Sequence, residues 1–243
     1  VCYNADARNS LDLGRTASCH KFTFGIHHYA DLQAVNVANQ HGRQTFDVHL
    51  NDQKIGTLSL GVPGLFNVAN ALAAALAALK LGVDFPVIQT VLADYAGLRR
   101  RFEAVGQFQG GSVISDYAHH PAGIAATLAA AREFFPGQKI LTVFQPHQRH
   151  RTRALLGELA EALLQASGEI VIPEIFEVAG REQGIAVSSR QLAEQVNHLG
   201  GRALFAENLA ATEQLLQQKA AQYDVILMMG AGDIDSLARK IVQ

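Results

Sequence analysis

The chain has 243 residues, 49% of them hydrophobic and 17% charged, with a formal net charge of −2. That balance is ordinary for a globular protein and gives no bulk electrostatic reason to bind nucleic acid or an acidic membrane. Cys2 and Cys19 are the two cysteines and show no paired spacing, which argues against a disulfide framework or a cysteine zinc site. The longest purely apolar run, 71–79, is too short to cross a bilayer, and the N-terminus carries no charged-then-apolar signal segment. A cytoplasmic location is expected.

The opening VCYNADAR resembles the end of a buried strand, so the chain is expected to start in the middle of a fold. Residues 21–28 and 45–50 alternate as strands do, and 55–60 reads as a hairpin partner across Asn51, Asp52 and Gln53. After the break at Val62, Pro63 and Gly64, the alanine- and leucine-rich spacing predicts a helix over 67–81 that ends at Gly82. A second helix is predicted over 84–95. The basic run Arg99, Arg100, Arg101 marks a seam, with domains expected at 1–100 and 101–243.

Beyond the seam strands and helices alternate. Strands are predicted at 102–108, 112–115, 139–144, 169–172, 203–205 and 224–229. Helices are predicted at 121–134, 152–166, 188–199, 208–222 and 233–242. Pro121 suits a first helical position, and Ser188 with Gln191 has capping-box spacing. The fold class is therefore α/β: a Rossmann-like, doubly wound C-terminal domain preceded by a partial α/β domain.

The chemistry-bearing residues collect at predicted strand ends, which open onto a shared crevice in sheets of this kind. Asp116 can accept from a ribose or serve as a turn and capping carboxylate. His119 and His120, beside Tyr117, can act as bases, anion donors or metal ligands. His147 and His150 have zinc-like spacing but no second such pair, so no metal site is assigned. Arg149, Arg151 and Arg153 offer planar forks to a carboxylate or phosphate at a helix start, where cations are otherwise unfavourable. Glu174 follows Pro173 at another strand end, where it can orient a basic group or solvate a loop. Gly230, Ala231, Gly232 and Asp233 form a short turn that lets backbone approach a ligand or simply joins strand to helix. Asn67 and Asn70 share a helix face; amides there can read an adenine-like edge, and capping accounts for Asn67 alone.

Six segments now stand in order: NAD from Asn4, PGLFNVANALAA from Pro63, GLRRRFE from Gly97, DYAHHP from Asp116, FQPHQRHRT from Phe144 and MGAGDI from Met229. Together they resemble the latter half of a Mur ligase, and HHP with FQPH points to the alanine-adding branch of that family. The resemblance implies an ATP- and Mg2+-dependent amide ligase of peptidoglycan precursor synthesis. Such an enzyme joins L-alanine to UDP-N-acetylmuramate through an acyl phosphate. It also implies that Asn67 and Asn70 approach adenine, that Arg101 faces the ATP phosphates, and that Asp116 meets the ribose. Tyr117, His119, His147 and Arg151 would line the amino-acid pocket, with His119 and Arg151 as the catalytic candidates and Arg151 on the alanine carboxylate.

There are departures from the family pattern. Phe66 stands for a histidine and Gln148 for an arginine, with Arg149 placed to replace the lost charge; the EVAGRE segment after Phe176 is unusual. No Gly-x-x-x-x-Gly-Lys-Ser/Thr phosphate loop occurs in these residues. The chain is thus expected to be inactive alone, with a non-catalytic nucleotide- or amino-acid-binding module as the alternative. The oligomeric state is left open.

Overall fold

The computed structural model describes residues 1–40, 43–177 and 186–243. Most of the unusual segment that follows Phe176 and Glu177 lies outside them. The chain divides into two compact units, Val1–Gly97 and Leu98–Gln243. The arginine run therefore belongs to the second unit, whereas the sequence reading had put the boundary inside it.

The first unit opens with β1 (Cys2–Asn4), α1 (Arg8–Thr16), β2 (Phe22–Gly25) and β3 (Leu32–Gln40), followed by β4 (Arg43–Leu50) and β5 (Gln53–Leu60). The sheet order is β1-β2-β3-β4-β5, parallel from β1 to β3 and antiparallel from β3 to β5. Asn51 and Asp52 join β4 to β5 with φ of 47° and 67°, the double positive-φ signature of a tight hairpin turn. Two elements here escaped the sequence reading. In α1, Gly14 reads as a breaker, yet a Cβ there would meet the Tyr3 ring at 2.7 Å, so the helix needs glycine to approach β1. In β3 the inward alternation of Leu32 and Ala34 is interrupted by Asn36, at φ 54° beside a bulge.

Helix α2 (Leu65–Lys80) covers this sheet with Val68, Ala71, Leu72, Ala75 and Leu76, a continuous apolar stripe at helical spacing. It ends as the sequence implied. Gly82, at φ 85°, donates to Leu79 O, and Val83 donates to Ala78 O at 3.0 Å, the paired bonds of a Schellman cap. Helix α3 (Phe85–Ala93) follows.

The second unit runs β6 (Glu103–Phe108), β7 (Gly111–Asp116), α4 (Pro121–Phe134), β8 (Ile140–Phe144), α5 (Arg149–Ala154), α6 (Leu156–Leu163) and β9 (Ile170–Pro173). It continues with α7 (Ser189–His198), β10 (Ala203–Ala206), α8 (Leu209–Lys219), β11 (Val225–Met229) and α9 (Ile234–Ile241). Its sheet order is β10-β9-β8-β11-β7-β6, parallel except for β6. Strands β8, β9 and β11 are buried along their whole length, as a sheet covered on both faces requires. The expected helix over 152–166 is instead two pieces that break at Leu155 and begin at Arg149. The capping box holds, with Ser188 N donating to Gln191 Oε1 at 3.2 Å.

A buried charge network anchors α9. Asp235, 6% exposed, accepts from Ser115 Oγ at 2.7 Å and from Arg239 Nε at 3.1 Å, and Arg239 also reaches Glu103 at 2.6 Å. Burial raises the Asp235 pKa, but Arg239 and Ser115 outweigh it, so the net shift is downward. A lowered folded pKa gives stability that is present above the unfolded value and is lost as pH falls through the folded one. Asp235→Asn should therefore cost about 2–3 kcal/mol near neutral pH. Urea unfolding of both proteins checks this: the gap should close below the ordinary carboxylate range, and a gap constant with pH would refute the assignment.

Candidate functional site

Because β7, β8, β9 and β11 run parallel, their carboxyl ends share one edge of the second unit, and each delivers a polar segment there. Past β7 come Tyr117 and His119, past β8 Gln145 and His147, past β9 Glu174, and past β11 the turn from Gly230. Backbone bonds knit these ends together: Gly230 N donates to Asp116 O at 3.0 Å, and Gln145 N to Met229 O at 2.9 Å. Pairing of the β8 and β9 extensions continues to a bridge between His147 and Phe176.

The aromatic groups form a row. The Tyr117 and His119 ring centroids are 5.2 Å apart, His119 and His147 5.8 Å, and His147 stacks on Phe176 at 5.4 Å. Arg100 and Arg101 lie over the Tyr117 ring at 4.8 and 5.2 Å. His119 Nδ1 sits 2.9 Å from Tyr117 O. A carbonyl only accepts, so Nδ1 carries the proton and the Nε2 lone pair of the neutral ring is the basic face. The structure thus brings Tyr117, His119, His147 and Arg101 together. Arg151 stands on the first turn of α5, half-buried, and its Nη1 is buried without a hydrogen-bond partner among the described residues. A guanidinium nitrogen in that state is costly unless a ligand supplies the acceptor.

Three expectations change. Asp116 is 4% exposed, and its carboxylate is committed to the chain: Oδ1 accepts from Ala118 N at 2.7 Å and Thr127 Oγ1 at 3.2 Å, and Oδ2 from Phe102 N at 2.8 Å. Burial pushes its pKa up despite those donors. It is the turn carboxylate that the sequence had offered as the alternative, and the ribose role draws no support from this geometry. Arg149 cannot stand in for a cation at Gln148, because Nε donates to Glu177 Oε1 at 2.6 Å and Nη1 to Val187 O. Glu174 Oε1 accepts from Ile175 N at 2.8 Å and Ser189 N at 3.3 Å, so it braces the start of α7. Two residues went unnoticed as supports, Arg100 and Gln145. Gln145 was legible as a polar residue directly after an apolar strand; Arg100 was hidden inside a run of three arginines.

The first unit holds a separate feature. A cavity of about 320 Å³ is lined by Leu60, Val62, Asn67, Asn70, Ala71, Ala74, Leu92 and Tyr95. Its lining is mostly apolar, with Asn67, Asn70 and Tyr95 as the side chains that carry polar atoms. Asn67 Nδ2 donates to Pro63 O at 2.8 Å, and Asn70 Nδ2 approaches Asn67 Oδ1 at 3.4 Å. The Asn70 carbonyl oxygen is left as an acceptor at the rim.

A family model described as "Mur ligase, glutamate ligase domain" matches residues 100–232, and one described as "Mur ligase middle domain" matches residues 1–78. The chain belongs to the Mur ligase family. It is 37% identical over 243 residues to the UDP-N-acetylmuramate–L-alanine ligase of Lachnospira eligens, covering 99% of this chain and 52% of that protein. The ligase of the same name from Clostridium novyi is 36% identical over 234 residues, covering 95% and 50%. The crystal structure of UDP-N-acetylmuramate-alanine ligase from Thermotoga maritima superposes with a TM-score of 0.77 at 30% identity, covering 91% of this chain and 47% of that one. The chain therefore spans about half the length of the curated Mur ligases it matches. No helix among the described residues is long and apolar enough to cross a membrane, and no group of three or more His, Cys, Asp or Glu residues gathers there to hold a metal.

Proposed function

We propose that this chain is the adenine- and amino-acid-holding part of an ATP-dependent ligase that joins L-alanine to UDP-N-acetylmuramate through an acyl phosphate. The observation that carries the amino-acid half is the buried, unpartnered Nη1 of Arg151, four residues after His147 in the chain. A carboxylate is the acceptor that would satisfy it. Tyr117 and His147 flank His119, with ring centroids 5.2 and 5.8 Å from its ring, and the His119 Nε2 face can take a proton from an attacking amine.

The cavity at Asn67 and Asn70 suits an adenine ring: largely apolar walls, and an amide acceptor to meet the exocyclic amino group. Arg101, exposed above Tyr117, remains open to an anionic group. The described residues do not fit Mg2+, because no carboxylate cluster stands ready for a hard cation. With no phosphate loop in the sequence, these 243 residues hold substrates but do not activate ATP. The complementary half is supplied for assay by fusing the chain behind the portion of the Thermotoga maritima ligase that it does not match.

Titration calorimetry with ADP tests the adenine assignment. Replacing Asn67 and Asn70 together by Leu should weaken ADP binding roughly tenfold, the worth of one to two neutral hydrogen bonds. Equal affinity in the double variant would remove the adenine from this cavity.

A further inference from the structure

The turn after β11 is braced from both sides. Arg100 Nη2 donates to Gly230 O at 2.7 Å and to Gly232 O at 2.9 Å. From the β8 side, Gln145 Nε2 donates to Asp233 Oδ1 at 2.7 Å, and Gln145 Oε1 accepts from Ile234 N at 3.1 Å. The turn leaves no room for side chains: a Cβ on Gly230 would meet Gln145 O at 2.8 Å, and one on Gly232 would meet the Phe176 ring at 2.5 Å.

Arg100 is itself held in an unusual conformation. Its φ is 59°, a left-handed value rarely adopted by a residue with a side chain. Its N–H donates to Glu103 Oε2 at 2.8 Å, its carbonyl accepts from Tyr117 N at 2.8 Å, and its guanidinium carbon lies 4.8 Å from the Tyr117 ring centre. Backbone strain of that kind persists only where surrounding bonds over-determine it.

We propose that Arg100 is a positioning residue, one that fixes the Tyr117 ring and the 230–233 turn relative to each other in the geometry that receives the ligand. A trans peptide sets its N–H opposite its C=O. Drawing the carbonyls of Gly230 and Gly232 onto Arg100 therefore turns the N–H groups of Ala231 and Asp233 away from it, and no acceptor among the described residues takes them. They are donors held ready for an anionic group, at the same strand-end edge as Tyr117. The planar fork of arginine both donates to the turn and stacks on the ring, which a lysine ammonium does less well. The ligand named here, an amino-acid carboxylate, rests on the function proposed above.

The test uses the whole 243-residue chain, labelled for NMR, as wild type, Arg100→Met and Arg100→Lys. Methionine keeps length and removes the donors; lysine restores a donor without the plane. In the methionine variant, hydrogen exchange at Gly230, whose N–H donates to Asp116 O, and at Ile234, whose N–H donates to Gln145 Oε1, should accelerate about tenfold while mid-strand amides of β8 keep wild-type rates. L-Alanine should shift the Ala231 and Asp233 resonances at least about tenfold less tightly than in wild type, with lysine recovering part of the loss. Wild-type exchange at the turn in Arg100→Met overturns the proposal, as does acceleration spread evenly over the unit, which would mark a general stabiliser. If wild type shows no L-alanine shift, the amino-acid reading fails, and the exchange rates still decide the role of Arg100.

Discussion

Replacing Arg151 with Ala is expected to raise the L-alanine KM of the fused ligase about tenfold or more, with the ATP KM little changed. The reasoning starts from the orphaned nitrogen: Nη1 is buried with no acceptor among the described residues, so the unliganded site carries a desolvated donor. A bound carboxylate relieves that cost, and a hydrogen bond to a charged group is worth about 1.5–3 kcal/mol. Loss confined to substrate holding shows in KM; loss of a contact made only in the transition state shows in kcat. Arg151→Lys should recover little, because a single ammonium does not reproduce the fork. Steady-state kinetics with L-alanine as the varied substrate checks the effect, and an unchanged L-alanine KM in Arg151→Ala would end the anchor assignment.

The second large effect concerns folding. Asp116→Ala should destabilise the second unit by about 3–5 kcal/mol, because it leaves the N–H groups of Phe102 and Ala118 without their acceptor. Phe102, at φ 50° and 7% exposed, packs on Phe134 and Phe135 and depends on that carboxylate to hold the entry to β6. Against a usual total of about 5–15 kcal/mol, this is a loss that urea unfolding would register plainly. Asp116→Asn should cost less than Ala, yet its amide nitrogen must face one of the N–H donors. Burial raises the Asp116 pKa, so its contribution is fullest below the ordinary aspartate value and declines as pH rises through the folded one. The deficit of the Asn variant should accordingly narrow as pH rises through that raised folded value. A normal unfolding midpoint for Asp116→Ala would return the residue to a ligand role.

What the sequence showed and what it hid have separate physical causes. Most of the alternation from β7 to α9 was legible because each strand is a short apolar run bounded by polar or glycine residues and α4 and α7 carry start signals in Pro121 and Ser188; α5 and α6, which lack a side-chain cap, were read as one helix. The Ser188 capping box and the Gly82 stop are local chemistry, readable without the fold. Helix α1 and strand β3 were hidden because their irregular residues, Gly14 and Asn36, make sense only against a packed ring and a bulged partner strand. At the site, the polar residue types were readable at the predicted strand ends, and the parallel topology gathers those ends at one edge. The roles within it depended on distances. Asp116 and Arg149 carry suitable chemistry, but Phe102, Ala118, Thr127, Glu177 and Val187 already occupy it.

The central claim is that these residues carry the alanine and adenine sites of a Mur ligase and lack the means to activate phosphate. The most direct measurement is the formation of UDP-N-acetylmuramoyl-L-alanine from radiolabelled L-alanine, UDP-N-acetylmuramate, ATP and Mg2+. It is made with the 243-residue chain alone and with the fusion to the unmatched part of the Thermotoga maritima ligase. The account predicts no product from the chain alone and ATP-dependent product from the fusion, lost when Arg151 is replaced. Product from the chain alone, or a folded fusion that hydrolyses ATP yet never joins alanine, would contradict it.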